Sequence, residues 1–122
     1  MKWTKEYRAE YARKWGRKHP EKIVLRNRKQ RLKRFGLTIQ SYEAMVIEQK
    51  GLCAICCKPE PRPNTRLSID HSHVTNRIRK LLCSKCNPAI GLFSENPEIL
   101  SRAIDYISEP GMSFWFDVEE LP

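Results

Sequence analysis

The chain has 122 residues, enough for one small domain with a limited core, and its 40% hydrophobic content excludes wholesale disorder. It contains neither a long apolar run nor an N-terminal signal segment, so we expect a cytoplasmic protein rather than a membrane protein or a secreted disulfide scaffold. The net charge of +9 is divided unequally: residues 1–35 hold fourteen Lys/Arg and three Glu, whereas residues 36–122 hold nine Lys/Arg and eleven Asp/Glu.

The N-terminal arm, residues 1–35, is predicted to be helical and to bind DNA. Its aromatic residues recur every four positions, as one face of a helix requires: Trp3, Tyr7, Tyr11 and Trp15. Pro20 is typical of the first turn of a second helix, and Gly36 predicts where that helix ends. The positive charge favours binding to a phosphate backbone, with a solvated helix or a disordered tail as the alternative. At this spacing we expect the aromatic face to pack rather than to stack on bases.

A helix is predicted next, at residues 39–50, with Thr38 as its N-cap and Gly51 at its end. Residues 58–66 contain three prolines, which exclude a helix and predict an exposed loop.

Two short strands are expected after this loop. Apolar and polar residues alternate at 67–70, and a return strand is predicted at 78–82, with a turn near 75–76. Such a hairpin would place Cys83 beside the first pair of cysteines.

The C-terminal part is predicted to contain a short helix at residues 87–90 and a longer one that starts at Asn96, because Asn-Pro-Glu is a strong helix start. The longer helix has a predicted core face: Ile99, Leu100, Ala103, Ile104 and Ile107. Pro110-Gly111 is expected to stop it. The aromatic and acidic tail, residues 111–122, either covers the domain or meets a protein partner.

The cysteines fall into two Cys-x-x-Cys pairs, Cys53/Cys56 and Cys83/Cys86, which 26 residues separate. In an intracellular chain this spacing favours a tetrahedral zinc site over disulfides, with two thiolates from each pair. We therefore expect one structural zinc ion that clamps the base of the hairpin.

The hairpin carries side chains suited to a metal-dependent nuclease. Asp70 and Asn87 offer hard oxygen ligands for Mg²⁺, and the imidazole of His71 can take a proton from water. Neighbouring strand residues point to opposite faces, so Asp70 and His71 converge on one phosphate only if the strand ends or bends there. Phosphate contacts are predicted for Arg77, Arg79 and Lys80. Taken alone, each acid or histidine is more often an ordinary turn acid or a hydrogen-bonded histidine.

The order of these motifs, C-x-x-C, DH-x-H and LLC-x-x-CN, with GLT…Y before and GLF…NPEIL…A after, resembles the recombination endonuclease VII family of phages, within the HNH (His-Me finger) nucleases. The resemblance covers residues 36–107. It implies an α+β fold in which a small ββα-metal finger with flanking helices is stapled by zinc on the four cysteines, within a nuclease domain of residues 36–110. It also implies catalytic Mg²⁺, with Mn²⁺ as an alternative, on Asp70 and Asn87. His71 would be the general base, and His73 would contact phosphate or support the transition state.

The chain departs from the family pattern at three places. Lys80 stands where the family usually has glycine, and Cys57 stands where a glycine commonly follows the second zinc cysteine. Cys57 is therefore either a spare thiol or an alternative ligand. Only some 35 residues follow Asn87, where junction-resolving members continue into a long helical dimerisation region.

From these features we predict a Mg²⁺-dependent DNA endonuclease of phage type that nicks DNA in the host cytoplasm. The alternatives are a non-catalytic, zinc-stabilised nucleic-acid-binding module and a phage accessory protein that uses its tail. A protein that only binds nucleic acid has no reason to assemble Asp70, His71 and Asn87. These three residues therefore distinguish a nuclease from the non-catalytic binding module.

Overall fold

A computed structural model describes residues 3–108, and the fold is stated for that range. The predicted stop at Pro110-Gly111 and the tail of residues 111–122 lie outside it. The α+β elements follow in the order α1 (Lys5–Lys18), α2 (Pro20–Lys33), α3 (Ile39–Glu48), β1 (Ser68–His71), β2 (Ile78–Leu82), α4 (Cys86–Leu92) and α5 (Pro97–Ser108). Within the described range, every helix is too short or too polar to cross a membrane.

The arm forms α1 and α2, and local chemistry sets where both helices begin. The Thr4 hydroxyl accepts a hydrogen bond from the backbone N–H of Tyr7 at 3.2 Å, which caps α1. Pro20 is the first residue of α2, where a missing N–H costs nothing. At the other end of α2, Leu32 is buried in the core of the following domain. The last turn of the arm therefore belongs to the folded core.

The aromatic face of α1 does not pack as expected. Trp3, Tyr7 and Tyr11 are exposed, and the Trp3 ring meets the other two edge-to-face at 4.9 and 5.6 Å between centroids. The packing prediction is wrong for these three residues within the described part of the chain. It holds better for Trp15, which is half-buried, lies against His19 and has the ammonium of Lys22 over its ring. The first three aromatic rings remain open to solvent.

The core is small, and α3 and the hairpin supply most of it. Its buried residues are Leu32, Tyr42, Cys53, Leu67, Leu81, Leu82 and Cys83. The Tyr42 hydroxyl donates a hydrogen bond to the carbonyl of Leu67 at 2.7 Å, which ties α3 to the start of the hairpin. On α5 the expected core face is wrong for Ile99, Ile104 and Ile107, which are exposed, while Leu100 and Ala103 are half-buried.

The two strands pair antiparallel with one irregularity. Ser68 lies opposite Leu82 and Ile69 opposite Leu81, but His71 lies opposite Ile78. Between the last two pairs, Asp70 alone faces two residues of β2, Arg79 and Lys80. A bulge of this kind bends the strand and redirects its side chains. The extra residue lies on β2, so β2 is the strand that bends. β1 itself ends at His71, which meets the condition that the strand ends beside Asp70.

Gln49, just after α3, holds β2 in place. Its side-chain carbonyl accepts the backbone N–H of Leu81 at 2.8 Å, and its amide donates to the carbonyls of Leu81 at 2.9 Å and Leu52 at 2.8 Å. The Gln49 side chain thus takes the place of a neighbouring strand by bonding both backbone groups of Leu81 at the edge of β2. Because a two-stranded hairpin is marginal alone, this clamp matters for the stability of the sheet.

We expect Gln49→Ala to destabilise the protein by about 2 kcal/mol, because the Leu81 N–H would remain buried without an acceptor. Urea unfolding followed by circular dichroism measures the effect. Gln40→Ala is the matched control, since Gln40 lies exposed on α3. Equal unfolding midpoints for the two variants would contradict the clamp.

Candidate functional site

The four cysteines of the two pairs converge at the base of the hairpin. The sulfur atoms of Cys53, Cys56, Cys83 and Cys86 all lie within 4.8 Å of one another. The backbone N–H of Ile55 donates to the Cys53 sulfur at 3.5 Å, and the N–H of Cys86 donates to the Cys83 sulfur at 3.4 Å. Among residues 3–108, this is the one group of three or more Cys, His or acidic side chains that lie close enough together to hold a metal ion. Four sulfur atoms can hold a structural zinc ion in tetrahedral geometry.

The four thiols differ in their pKa values, and each ionised sulfur opposes the ionisation of its neighbours. Burial opposes ionisation of Cys53, but hydrogen bonds from the backbone N–H groups of Cys56, Cys83 and Ile55 outweigh it and lower its pKa to about 6. Burial and the neighbouring sulfurs raise the pKa of Cys86 to about 12. All four sulfurs can serve as thiolate ligands only when a cation offsets their mutual repulsion. The donor set therefore fits Zn²⁺.

Cys57 lies outside the cluster and is exposed. Its φ of 54° is in the left-handed region that favours glycine. Its backbone N–H donates to the carbonyl of Cys53 at 3.0 Å, closing the turn of the first cysteine pair. Of the two expectations for Cys57, the structure favours the spare thiol.

The proline-rich loop is joined to the second cysteine pair by Glu60. Its carboxylate accepts hydrogen bonds from the backbone N–H of Ser84 at 2.8 Å and from the Ser84 hydroxyl at 2.6 Å. These bonds with Ser84 lower the pKa of Glu60 and keep the carboxylate ionised. The loop after the first pair is therefore fastened to the turn of the second.

Asp70 lies at the bulge and is buried, with a relative exposure of 7%. Arg79 binds its carboxylate with two nitrogens, Nε to Oδ2 at 2.5 Å and Nη2 to Oδ1 at 3.1 Å. This hydrogen-bonded pair raises the pKa of Arg79 above its ordinary value, so the guanidinium stays charged. The buried carboxylate is thereby compensated and fixed in orientation.

The two histidines lie beside Asp70 at the end of β1. The half-buried His71 ring lies 5.3 Å from the Phe35 ring and 5.0 Å from the His73 ring, between centroids. The side chain of His73 is 70% exposed. The last residues of the arm thus support one imidazole, while the other faces solvent.

Glu95, in the turn between α4 and α5, is a site residue that sequence reasoning missed. Its Oε1 lies 2.7 Å from Nδ1 of His73, and its Oε2 lies 3.1 Å from Nη2 of Arg79. Asp70, Arg79 and Glu95 line a cleft whose apolar wall includes Leu82 and Leu100. Since Glu95 is 24 positions after His71 and belongs to no motif, only its acidic character in a turn could have hinted at this role.

The remaining predicted site residues are less closely joined to this group. Asn87 is the second residue of α4, directly after the cysteine cluster, and its backbone N–H bonds to the carbonyl of Cys83 at 3.0 Å. Among the described residues, no hydrogen bond links its carboxamide to Asp70 or Glu95, so its place at a metal stays a prediction. Arg77, Arg79 and Lys80 are all exposed, but Arg79 binds carboxylates with its Nε and Nη2 atoms.

Comparison with known proteins gives one family and two relatives. The sequence model of the recombination endonuclease VII family matches residues 28–109. The chain is 42% identical to the Gene 59 protein of Mycobacterium phage D29 and 36% identical to that of Mycobacterium phage L5, over 77 residues in each case. These stretches cover 62% of this chain and 46% of each relative, so the chain spans about half their length. No solved structure matches the chain.

We expect metal analysis to find about one Zn²⁺ per chain, because four thiolates complete a tetrahedral site. Cys83→Ser should lose the zinc and unfold the hairpin region, since the free energy of metal binding is part of the folding free energy. Cys57→Ser is the matched control and should keep both zinc and fold. A folded Cys83→Ser protein without zinc would contradict the assignment.

Proposed function

The chain belongs to the recombination endonuclease VII family, a family of nucleases, and we propose that it is a Mg²⁺-dependent HNH endonuclease that nicks DNA. One observation carries the proposal: a buried, oriented carboxylate, Asp70, lies at a strand bulge beside two imidazoles. A module that only binds nucleic acid gains nothing from burying a carboxylate beside its ligand, since this charge repels phosphate. The relatives come from phages, and we propose that this chain acts in the cytoplasm of a phage host.

The oxygen donors suit a hard cation. A carboxylate offers about four lone-pair positions, and Arg79 occupies two of those on Asp70, so positions remain for a metal. Asn87 would add a carboxamide oxygen from the start of α4. Held by Asp70 and Asn87, Mg²⁺ would supply positive charge against the charge that develops on the phosphate and on the leaving oxygen.

His71 is the proposed general base. It directly follows Asp70 where β1 ends, and a strand end there would let the imidazole and the carboxylate converge on one phosphate. Packing against Phe35 restricts the ring, which favours one orientation for accepting a proton from the attacking water. The arm therefore contributes to the site through this contact as well as through its charge.

Phosphate contacts are assigned to the exposed cations of β2 and its preceding turn. Arg77 and Lys80 are free to reach phosphate oxygens, and His73 presents an exposed ring at the same end of the hairpin. Arg79 acts mainly on Asp70, whose carboxylate it orients, and adds positive charge beside the site. Lys80, in place of a family glycine, lies at the bulge and supplies an additional cation there.

The arm is proposed to supply most of the affinity for DNA. Twelve of its fourteen Lys and Arg residues lie on α1 and α2, whose residues are mostly exposed, so neutralising phosphates would release counterions without sequence preference. The exposed rings of Tyr7 and Tyr11 on α1, and of Trp3 just before its cap, are accessible to unpaired bases.

The central test is nicking of supercoiled plasmid with Mg²⁺ and with EDTA, using Asp70→Asn and Asn87→Ala. Asp70→Asn keeps the shape and a hydrogen-bond acceptor for Arg79, so we expect normal zinc content and DNA binding but at least a hundred-fold slower cleavage. Asn87→Ala should behave alike. Asp105→Asn, an exposed acid on α5, is the control and should cleave normally. Wild-type protein that binds but never cuts would instead favour the non-catalytic binding module.

The arm can be tested without disturbing the core by removing residues 1–18, which carry seven Lys/Arg and two Glu, while keeping Leu32. We expect weaker duplex binding and a flatter dependence of log K on log salt, because fewer counterions are released. Fluorescence anisotropy from 50 to 300 mM salt measures both quantities.

A variant with Trp3, Tyr7 and Tyr11 replaced by Ala keeps every charge of the arm and is the matched control. Its salt slope on duplex DNA should equal that of the wild type. An unchanged slope in the truncated protein would assign α1 to a role other than phosphate binding.

A further inference from the structure

We propose that Glu95 is a positioning residue for the nuclease reaction: its carboxylate holds Nδ1 of His73, so that Nε2 is the ring nitrogen presented to the DNA. The inference rests on the proposed function, in which Glu95 has no assigned role. It identifies the residue that gives the exposed His73 a defined direction.

The backbone after α4 is shaped to deliver Glu95. Two hydrogen bonds close the helix, from the N–H of Ser94 to the carbonyl of Gly91 and from the N–H of Glu95 to the carbonyl of Ile90, both at 2.9 Å. This is the Schellman arrangement, which needs one left-handed residue, commonly glycine. Here both Ser94 and Glu95 are left-handed, with φ of 54° and 51°. A Schellman end needs only one left-handed residue, so the second one, a non-glycine residue, is additional backbone strain. Strain of this kind is typical of functional sites.

The carboxylate is held more firmly than the imidazole it orients. The side chain of Glu95 is 17% exposed, against 70% for His73, and its second oxygen is fixed by Arg79. Arg79 in turn is bound to Asp70 and donates to the carbonyl of His71 at 3.2 Å. A chain of contacts therefore fixes Glu95 relative to the hairpin before His73 is considered.

The chemical consequence concerns the two ring nitrogens. Nδ1 of His73 lies 2.7 Å from Oε1 of Glu95, so a proton on Nδ1 faces the carboxylate and the hydrogen-bonding capacity left on the ring is at Nε2. The rings of His73 and His71 meet at 86° and 5.0 Å, so the two imidazoles present different edges at the same hairpin end. Fixing Nδ1 keeps His73 available for the phosphate while His71 serves the water.

The contact itself is testable by ¹⁵N NMR of histidine-labelled protein, because the chain has only 3 histidines. At pH 8 the wild-type His73 should show the Nδ1–H tautomer. Glu95→Ala should return it to the tautomer mixture of an exposed histidine, whereas Glu95→Gln, which keeps an oxygen acceptor, should retain much of the wild-type pattern. His19 is the internal control. A His73 signal that Glu95→Ala leaves unchanged would overturn the proposal.

The role in the reaction is testable by a double-mutant cycle in single-turnover cleavage of one labelled duplex. We expect Glu95→Ala to slow cleavage several-fold, Glu95→Gln to recover part of the loss, and Glu98→Ala, an exposed acid of α5, to behave as wild type. In a His73→Ala background, Glu95→Ala should have no further effect, because its action passes through His73. Full additivity of the two effects would overturn the proposal: Glu95 would then act through its ion pair with Arg79 or only stabilise the fold. Zinc content and the thermal midpoint of each variant report any loss of stability.

A separate variant keeps the outcomes distinct. His71→Ala should cleave about a hundred-fold or more slowly than the wild type, as expected for loss of a general base. His73→Ala should lose less activity than His71→Ala. If wild-type protein cuts no DNA, the proposed function fails together with the catalytic part of this inference. The NMR experiment would still decide whether Glu95 holds His73.

Discussion

The four-cysteine cluster is the constraint on which the rest of the structure depends. Two of its residues, Cys53 and Cys83, are also among the few buried residues of the core, so the cysteine cluster and the hydrophobic core are one unit. A two-stranded hairpin is too small to be stable alone. The cluster joins both of its flanks, and Gln49 and Glu60 add hydrogen bonds from α3 and the proline-rich loop. The hairpin that carries Asp70 and His71 lies between the two cysteine pairs, and α4, which carries Asn87, begins at Cys86.

Within that frame, the site is built from paired charges rather than from an apolar pocket. Asp70 and Glu95 share one guanidinium, and the bulge places Asp70 opposite the residue that neutralises it. A carboxylate can be buried at low cost only when it is paired in this way. The same pairing leaves lone pairs on Asp70 for a metal and directs Glu95 towards His73. Stability and the proposed chemistry therefore draw on the same few side chains.

The surface separates two tasks. The arm carries most of the positive charge and an exposed aromatic face, whereas the two acids of the site, Asp70 and Glu95, lie on the hairpin and in the turn after α4. A nuclease needs both, because the acids that would bind a metal repel the phosphate backbone unless cations elsewhere bring it near. Leu32 and Phe35 connect the two parts: the first is buried in the core and the second contacts His71. The arm is thus continuous with the site.

The sequence alone predicted the features that depend on local chemistry or on fixed spacing. The Thr38 cap, Pro20 and Pro97 at helix starts, the two cysteine pairs and the Asp-His-x-His motif all act over a few residues, so their patterns are legible in one dimension. Tertiary structure alone decided the rest. The bulge at Asp70 depends on strand register, the exposure of Tyr7 and Ile107 depends on which surfaces find a partner, and the approach of Glu95 to His73 depends on a left-handed turn far along the chain. These contacts join residues whose separation follows no period, and a single sequence contains no pattern that links them.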